Sequence, residues 1–191
     1  ALELVVVDYE PLPVVLDVTD ASADEVLLFE DLGTNTVFGM PPTPGEASFE
    51  DCDVAVELTV ENQRLAPCPI EPRVSTAQWV DGRLVQHIGS QGAHPVRDQL
   101  AQIYGLEPGD VRVVTPDVGG GFGARAFAHA EELVLGAVAR NVGRPVRWAE
   151  TRTENLQAMV HGRAQRQHIR IGGTRDGRVT AFAVRAEQDA G

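Results

Sequence analysis

Four glycines fall within five positions, at Gly119, Gly120, Gly121 and Gly123, between a short apolar stretch and the strongest helical pattern of the chain. Backbone without a β-carbon adopts positive φ at little cost and lets a ligand approach its N–H groups closely. The start of the helix that follows adds positive dipole character. The glycine loop, residues 117–125, therefore suits a phosphate or another group rich in oxygen.

Three interpretations of this loop compete on spacing alone. Gly119, Gly121 and Ala124 satisfy the G-x-G-x-x-A pattern of dinucleotide-binding folds, but no acidic residue follows about 20 positions later to bind a ribose. A P-loop needs a lysine, and the chain has none. The third interpretation is a turn that only allows a strand and a helix to pack tightly.

The net charge of −12 is divided unevenly along the chain. Residues 1–63 hold 15 of the 28 acidic residues and no basic one, whereas residues 64–191 hold the other 13 and all 16 arginines. The second part is slightly positive but lacks the basic density typical of nucleic-acid binding. We therefore expect no nucleic-acid partner, while an anionic ligand is compatible with residues 64–191.

Motifs for metal binding and membrane insertion are missing from the sequence. Cys52 and Cys68 stand 16 positions apart without a C-x-x-C, which fits two free thiols in the cytoplasm at least as well as one disulfide. No apolar run reaches the ~18 residues of a membrane span. The histidines show no metal-ligand spacing: His87, His94, His129, His161 and His168. We expect no metal ligand among these side chains and no membrane span.

Strands and a hairpin are predicted ahead of the loop. Apolar residues alternate over 53–63 as in a half-buried strand, with Val54, Val56, Leu58 and Val60 on the apolar face. Two further strand-like runs, 73–79 and 83–88, flank Asp81-Gly82, which is a strong hairpin signal. Four more apolar runs predict strands: 111–114, 146–148, 163–171 and 178–186.

Three helices are predicted from spacing and capping residues. The first begins near Pro95 and ends at Gly105, and the last begins with the capping-box spacing of Thr151 and Glu154 and runs to about Met159. The middle helix ends at Gly143, and its apolar residues share one face: Ala130, Leu133, Val134, Ala137 and Val138.

The order of these elements predicts an α+β fold in which a mixed β-sheet is packed by helices, over residues 54–191. Residues 1–53 are acidic and rich in proline, and the run from Pro41 to Gly45 can form neither helix nor central strand. We predict an extended acidic connector there, in which only residues 23–32 could form a short helical turn.

Several segments resemble one family, in the family's order. Residues 115–123, Thr-Pro-Asp-Val-Gly-Gly-Gly-Phe-Gly, resemble the glycine loop of the molybdenum hydroxylases, which include xanthine dehydrogenase, aldehyde oxidase and aerobic carbon monoxide dehydrogenase. Residues 89–94 are similar to a strand-to-helix loop of that family, and residues 143–155 to the stretch after its glycine helix. Residues 69–73 resemble carbon monoxide dehydrogenase-like large subunits most closely.

The resemblance implies a large-subunit fragment that carries part of a molybdenum–pterin-binding domain. The implied cofactor is molybdenum–molybdopterin, as the cytosine dinucleotide form usual in bacteria. The family hydroxylates its substrate with oxygen derived from water and passes the electrons to iron–sulfur clusters and FAD. The implied partners are the remainder of the large subunit and the iron–sulfur and FAD subunits, in a cytoplasmic dimer of heterotrimers. The strand-like ends of the chain indicate a fragment, which alone is expected to be inactive.

The resemblance also implies which residues meet the cofactor. Gln91 would match the glutamine whose amide hydrogen-bonds an oxygen of the molybdenum centre. The loop residues Gly120, Gly121, Phe122 and Gly123 would line the same centre or the pterin with their amides. These groups offer hydrogen-bond donors without charge, which agrees with such a role.

Two positions, the last residue of the loop and the one after it, depart from the purine-oxidising members of the family. Those members carry Lys and then Glu, where this chain has Arg125 and Ala126, which disfavours a xanthine-type substrate. Glu71 is fixed in position by its proline neighbours, but the sequence does not decide between a role in the fold and one at a cofactor. The catalytic glutamate of the family and the copper-binding cysteine of true CO oxidisers are expected outside these residues, so the substrate stays open. The alternatives are a phosphate- or nucleotide-binding module without redox activity, and an interaction domain.

Overall fold

A computed structural model describes residues 4–41 and 47–190, and these residues form two compact units. One unit consists of residues 64–162, and the other combines the N-terminal residues up to 63 with residues 163–190. The strands are β1 Val54–Leu65, β2 Val74–Val80, β3 Arg83–Ile88, β4 Val111–Val114, β5 Val146–Ala149, β6 Gly162–Gly173 and β7 Val179–Gln188. The helices are α1 Val18–Ser22, α2 Ala93–Tyr104, α3 Ala130–Leu133, α4 Leu135–Val142 and α5 Arg152–Ala158.

The unit of residues 64–162 is built on a four-stranded sheet in the order β4-β3-β2-β5. The predicted hairpin is confirmed: β2 and β3 pair antiparallel, and Asp81 and Gly82 both have positive φ, at 49° and 80°. Two successive residues of positive φ match the twist of a hairpin. The chain crosses from β3 through α2 to β4, which pairs parallel to β3. β5 pairs antiparallel to β2.

The core of this unit lies between the sheet and its helices. Ala77, Leu84 and Ile88 of the sheet share one buried cluster with Val96 and Leu100 of α2. Val111, Leu135 and Ala139 complete the buried cluster from β4 and α4. α2 ends at Gly105 in the left-handed conformation, and α5 begins with the capping box of Thr151 and Glu154, both as predicted. The mixed sheet packed by helices confirms the predicted α+β class.

The single helix predicted over residues 130–142 is wrong, because the chain forms α3 and α4 with a break at Val134. The hydroxyl of Tyr104 lies at the break. It donates to the carbonyl of Leu133 and accepts the N–H of Ala137 at 2.9 Å, so it takes the place of the hydrogen bond that a continuous helix would form between them. Insertion of a polar side-chain atom into the helical ladder is therefore the cause of the break.

The predicted apolar face of this helix is also wrong. Leu135, Gly136 and Ala139 are buried, whereas Val134 and Val138 are 51% and 38% exposed. Gly136 lies under the ring of Tyr104, where a β-carbon would come within 2.8 Å of the ring. The close approach of Tyr104 turns the glycine and alanine side of the helix inward.

The other unit contains a three-stranded sheet in the order β1-β6-β7, with β6 and β7 antiparallel. The predicted strands are present, but the prediction that β1 is half-buried is wrong. Val54, Val56, Leu58 and Val60 are between 37% and 63% exposed. The described residues do not cover this face. The prediction failed because alternation in a sequence shows on which side of a sheet the residues lie, but not what packs over that side.

Most of the N-terminal segment is irregular and exposed. The helical turn predicted within residues 23–32 is present only as a 3₁₀ turn over Glu30–Leu32, and α1 precedes it. Asp17 caps α1 by accepting the N–H of Thr19 at 2.7 Å. The predicted proline break over residues 41–45 lies almost wholly outside the described residues, and the domain boundary after residue 53 stays a prediction.

Candidate functional site

The glycine loop follows β4 and precedes α3, within the unit of residues 64–162. Gly120, Phe122 and Gly123 have φ of 111°, 52° and 87°, all in the left-handed region. Glycine adopts such angles freely, but Phe122 pays for its β-carbon there. The residue is 74% exposed, and its ring lies against Gly120, where a β-carbon would come within 2.8 Å of the ring. The loop is thus an irregular turn with an exposed aromatic tip.

The loop leaves three consecutive N–H groups unused. The amides of Gly120, Gly121 and Phe122 donate to no atom within residues 4–41 and 47–190. The amides next to these three are bonded: Gly119 donates to Glu71 at 2.6 Å, Gly123 to Gln91 at 2.8 Å, and Ala124 to the carbonyl of Gly121 at 3.0 Å. Successive N–H groups in a turn with left-handed residues form a concavity that binds anionic or oxygen-rich groups.

Gln91 lies directly beside these amides. It belongs to the connection between β3 and α2, and since β3 and β4 are parallel, their carboxyl ends bring this connection and the glycine loop to one edge of the sheet. Its Oε1 accepts the N–H of Gly123 at 2.8 Å and that of Arg125 at 3.3 Å. These bonds fix the orientation of the amide, so that Nε2 remains a donor with no acceptor among the described residues.

Gly121 makes the contact with Gln91 sterically possible. A β-carbon at this position would stand 2.5 Å from Cγ of Gln91, closer than any real packing contact. The backbone N–H of Gln91 also donates to the carbonyl of Arg125 at 2.9 Å. The loop and Gln91 are therefore joined by backbone and side chain, and only glycine allows this approach.

Glu71 and Arg125 form an ion pair at the base of the loop. Nη1 of Arg125 lies 2.8 Å from Oε2 of Glu71, and Nη2 donates to the backbone carbonyl of Glu71. Burial acts to raise the pKa of Glu71, but the hydrogen bond from Gly119 and the guanidinium of Arg125 outweigh it and hold that pKa below its ordinary value. Glu71 is therefore ionised at neutral pH.

The segment that carries Glu71 is itself held from α5. Nη2 of Arg152 donates to the carbonyls of Pro69 and Ile70 at 2.6 and 3.0 Å, and Nη1 donates to Asn155 at 2.6 Å. Backbone carbonyls accept well from the fixed fork of a guanidinium. The two carbonyls before Glu71 are thus fixed by a residue 83 and 82 positions away in the chain.

A second ionic group is buried behind the site. Arg73 has no exposed side-chain surface, and its guanidinium lies 2.8 Å from Glu150 and 3.1 Å from Glu131. Glu150 also accepts the backbone N–H of Arg73 at 2.6 Å and bonds Asn155. Removing one member of such a pair would leave a buried charge uncompensated, so the group has to be kept or replaced as a whole.

The structure brings Gln91, Gly121 and Gly123 into contact, and Gly120 and Phe122 complete the same loop. Whether these five residues bind a cofactor stays a prediction. The Glu71–Arg125 pair was not predicted as part of the site. Its sequence signals were a glutamate fixed beside Pro72 and the only cation of the glycine loop, but nothing in the sequence paired them.

Among the described residues, no three His, Cys, Asp or Glu side chains come together as metal ligands, and Cys52 and Cys68 are both free thiols. Within the same residues, no helix is both long and apolar enough to cross a lipid bilayer.

Comparison with protein families gives one match over most of the chain. Residues 28–191 match the family model of the molybdopterin cofactor-binding domain. The carbon monoxide dehydrogenase large chain of Hydrogenophaga pseudoflava is 31% identical over 209 aligned residues, which cover 100% of this chain and 26% of that protein.

Solved structures give the same result for the fold. Quinoline 2-oxidoreductase from Pseudomonas putida 86 superimposes with a TM-score of 0.85 and 30% identity, over 98% of this chain and 24% of that one. CO dehydrogenase from Oligotropha carboxidovorans gives a TM-score of 0.83 and 28% identity, over 96% of this chain and 25% of that one. The chain therefore spans about a quarter of the length of these relatives.

Proposed function

Since this chain belongs to the molybdopterin cofactor-binding domain family of molybdenum hydroxylase large subunits, we propose that its glycine loop and Gln91 hold a molybdenum–molybdopterin cofactor. One observation carries the proposal. The three unbonded N–H groups of Gly120, Gly121 and Phe122 lie beside the Gln91 amide, whose Nε2 has no acceptor within the described residues.

The donor set fits the oxygen-rich part of such a cofactor. The three loop amides and Nε2 of Gln91 offer four N–H donors with no exposed cation among them, because Arg125 is only 2% exposed and is paired with Glu71. Uncharged donors at fixed geometry stabilise partial negative charge without neutralising it. When bound, the cofactor supplies two-electron redox chemistry and oxygen transfer, and these residues bind and orient it.

Several finer features belong to the proposal and rest on the family alone. We propose the cytosine dinucleotide form of the cofactor, electron transfer to iron–sulfur clusters and FAD in partner subunits, and assembly as a cytoplasmic dimer of heterotrimers. The relatives are named for substrates as different as carbon monoxide and quinoline, so the family does not fix the substrate. Ala126 lacks the carboxylate that purine-oxidising members carry at this position, which disfavours a purine substrate.

The test is cofactor analysis of the purified full-length subunit that contains this chain. We expect about one molybdenum and one pterin per chain, by elemental analysis and by fluorescence of the oxidised pterin. Gln91→Ala removes one donor and the support of two loop amides. We expect the cofactor content to fall about tenfold, since each of these hydrogen bonds contributes ~0.5–1.5 kcal/mol. Gln102→Ala, an exposed glutamine of α2, is the matched control and keeps wild-type content.

A native subunit free of both molybdenum and pterin would contradict the proposal. The second candidate, a phosphate- or nucleotide-binding module, uses the same three amides, because phosphate oxygens are also acceptors. Titration of the cofactor-free protein with nucleotides separates the two functions. Tight nucleotide binding that an added pterin does not inhibit favours the module. Gly121→Ala addresses the packing alternative, which predicts lower stability with unchanged cofactor content.

A further inference from the structure

Glu71 and Arg125 tie both ends of the glycine loop to one point. We propose that they are positioning residues, which hold the three unbonded amides in their ligand-binding arrangement before any ligand is present. The proposal rests on the function proposed above for the loop. Among the described residues, no hydrogen bond joins the side chain of Glu71 or Arg125 to Phe122 or to Nε2 of Gln91, so the two residues would act through the loop.

The hydrogen bonds form a closed ring at the base of the loop. At its start, Glu71 donates its N–H to the carbonyl of Gly119 at 3.3 Å and accepts the N–H of Gly119 on Oε2 at 2.6 Å. At its end, Arg125 bonds the same Oε2 through Nη1 at 2.8 Å and the backbone carbonyl of Glu71 through Nη2. The five residues between Gly119 and Arg125 are therefore spanned by a clamp outside the loop itself.

Gln91 extends the clamp to the middle of the loop. Its backbone N–H donates to the carbonyl of Arg125, and its Oε1 accepts the amides of Gly123 and Arg125. A change in the position of Arg125 would therefore be transmitted to Gln91, which the proposed function places against the cofactor.

The space for the clamp is made by two glycines. A β-carbon at Gly119 would stand 2.5 Å from Cβ of Glu71, and one at Gly89 would stand 3.2 Å from Nη1 of Arg125. The guanidinium is buried, with 2% of the residue exposed, so it is not available to an anionic ligand. The guanidinium of Arg125 thus stabilises the loop and does not contact the ligand of the loop.

The inference is tested first without any cofactor. The full-length subunit is expressed without molybdate, and amide hydrogen exchange is compared between wild type, Glu71→Gln and Arg125→Lys. We expect exchange at Gly123 and Ala124 to rise about tenfold in both variants, although neither amide bonds the changed residue, while α2 keeps its protection. Glu107→Gln, an exposed glutamate, is the matched control.

The second measurement separates positioning from general stability. In the molybdenum-loaded fraction of Glu71→Gln, we expect the molybdenum(V) paramagnetic resonance signal to differ from that of wild type, whereas Glu107→Gln superimposes on it. A role in stability alone would lower the loaded fraction and leave the signal of that fraction unchanged.

Wild-type exchange at Gly123 and Ala124 in both variants would overturn the inference. So would a loosened loop whose loaded fraction gives the wild-type signal, since the clamp would then not position the donors. A wild-type subunit without molybdenum would overturn the proposed function but not the clamp, because hydrogen exchange in the cofactor-free protein tests the clamp by itself.

Discussion

Glu132 is a carboxylate buried at the start of α3. The residue is 2% exposed, its Oε2 accepts the backbone N–H of His129 at 3.0 Å, and its Oε1 has no partner within the described residues. Burial raises the pKa of Glu132 above its ordinary value of 4.5, although the hydrogen bond from His129 and the charges of Arg73, His129 and Arg125 act in the opposite direction. At neutral pH, the ionised form therefore lowers the stability of the fold.

This shift predicts a pH-dependent effect of Glu132→Gln. Because the pKa is raised in the folded state, the favourable contribution of the protonated acid is full below pH 4.5 and is lost as the pH rises through the higher folded value. The amide keeps the capping bond to His129 without the charge. We expect the variant to be more stable than wild type at pH 7 and equal to it below pH 4.5, measured by urea unfolding across that range.

The control for this prediction is Glu107→Gln, which replaces an exposed glutamate. We expect the difference in stability between this variant and wild type to stay constant with pH. A Glu132→Gln variant that is less stable than wild type at pH 7 would mean that the carboxylate is needed as an ion, and would contradict the assignment of its raised pKa to burial.

At the scale of elements, the break between α3 and α4 depends on one hydroxyl. Tyr104→Phe keeps the ring, which packs edge-on against Trp79 at 6.2 Å between centroids. It leaves the carbonyl of Leu133 without its donor and removes one of two acceptors of the Ala137 N–H, which also donates to the carbonyl of Val134 at 3.0 Å. We expect the free energy of unfolding to fall by about 0.5–1.5 kcal/mol, the net contribution of an ordinary intramolecular hydrogen bond. Chemical denaturation measures it.

Tyr9→Phe is the matched control for this prediction, because the hydroxyl of Tyr9, on a residue 85% exposed, is solvated in either state. An unchanged stability of Tyr104→Phe would show that Leu133 and Ala137 re-form the direct helical bond without cost, so that the hydroxyl is not the cause of the break.

The elements that sequence predicts well are those whose signals are local. Asp81-Gly82 carries the hairpin turn, Gly105 ends α2, and Thr151 with Glu154 starts α5, each within a few residues of its effect. The break at Val134 could not be predicted in this way, because its cause, Tyr104, lies about thirty residues earlier in the chain. For the same reason, the exposed face of β1 depends on what covers it and not on its alternation.

For the candidate site too, local signals could be predicted from the sequence and contacts between distant residues could not. The glycine loop and Gln91 could be identified from a motif and a resemblance, and the structure brings them into contact. The pair of Glu71 and Arg125 could not, because the two residues stand 54 positions apart and only the packing of the loop joins them.

At the scale of the whole molecule, the charge has an unexpected location. Residues 64–191 carry all 16 arginines, but three of them are used as internal clamps: Arg73 on Glu150, Arg125 on Glu71, and Arg152 on two backbone carbonyls. The guanidinium fork suits such multiple bonds better than an ammonium group. The slight positive net charge of residues 64–191 therefore does not by itself indicate that they bind an anionic ligand.

The hydrophobic core is equally uneven in its location. The residues of the main buried cluster all lie between Ala77 and Ala139, inside the unit of residues 64–162. The unit that holds the three-stranded sheet contributes Ala181 as its buried hydrophobic residue among those described. Stability measurements on this chain will therefore report mainly on the unit that carries the candidate site.

The clamp at Glu71 also has a consequence for the order of folding. Its two residues are 54 positions apart, whereas β2 and β3 meet through a two-residue turn, and closing a long loop costs more chain entropy than closing a short one. We expect the hairpin to form first and the glycine loop to acquire its shape late. Pulsed hydrogen exchange during refolding tests this order, and protection of Gly119 and Gly123 ahead of the hairpin would refute it. The donor arrangement would then be the last part of this unit to mature.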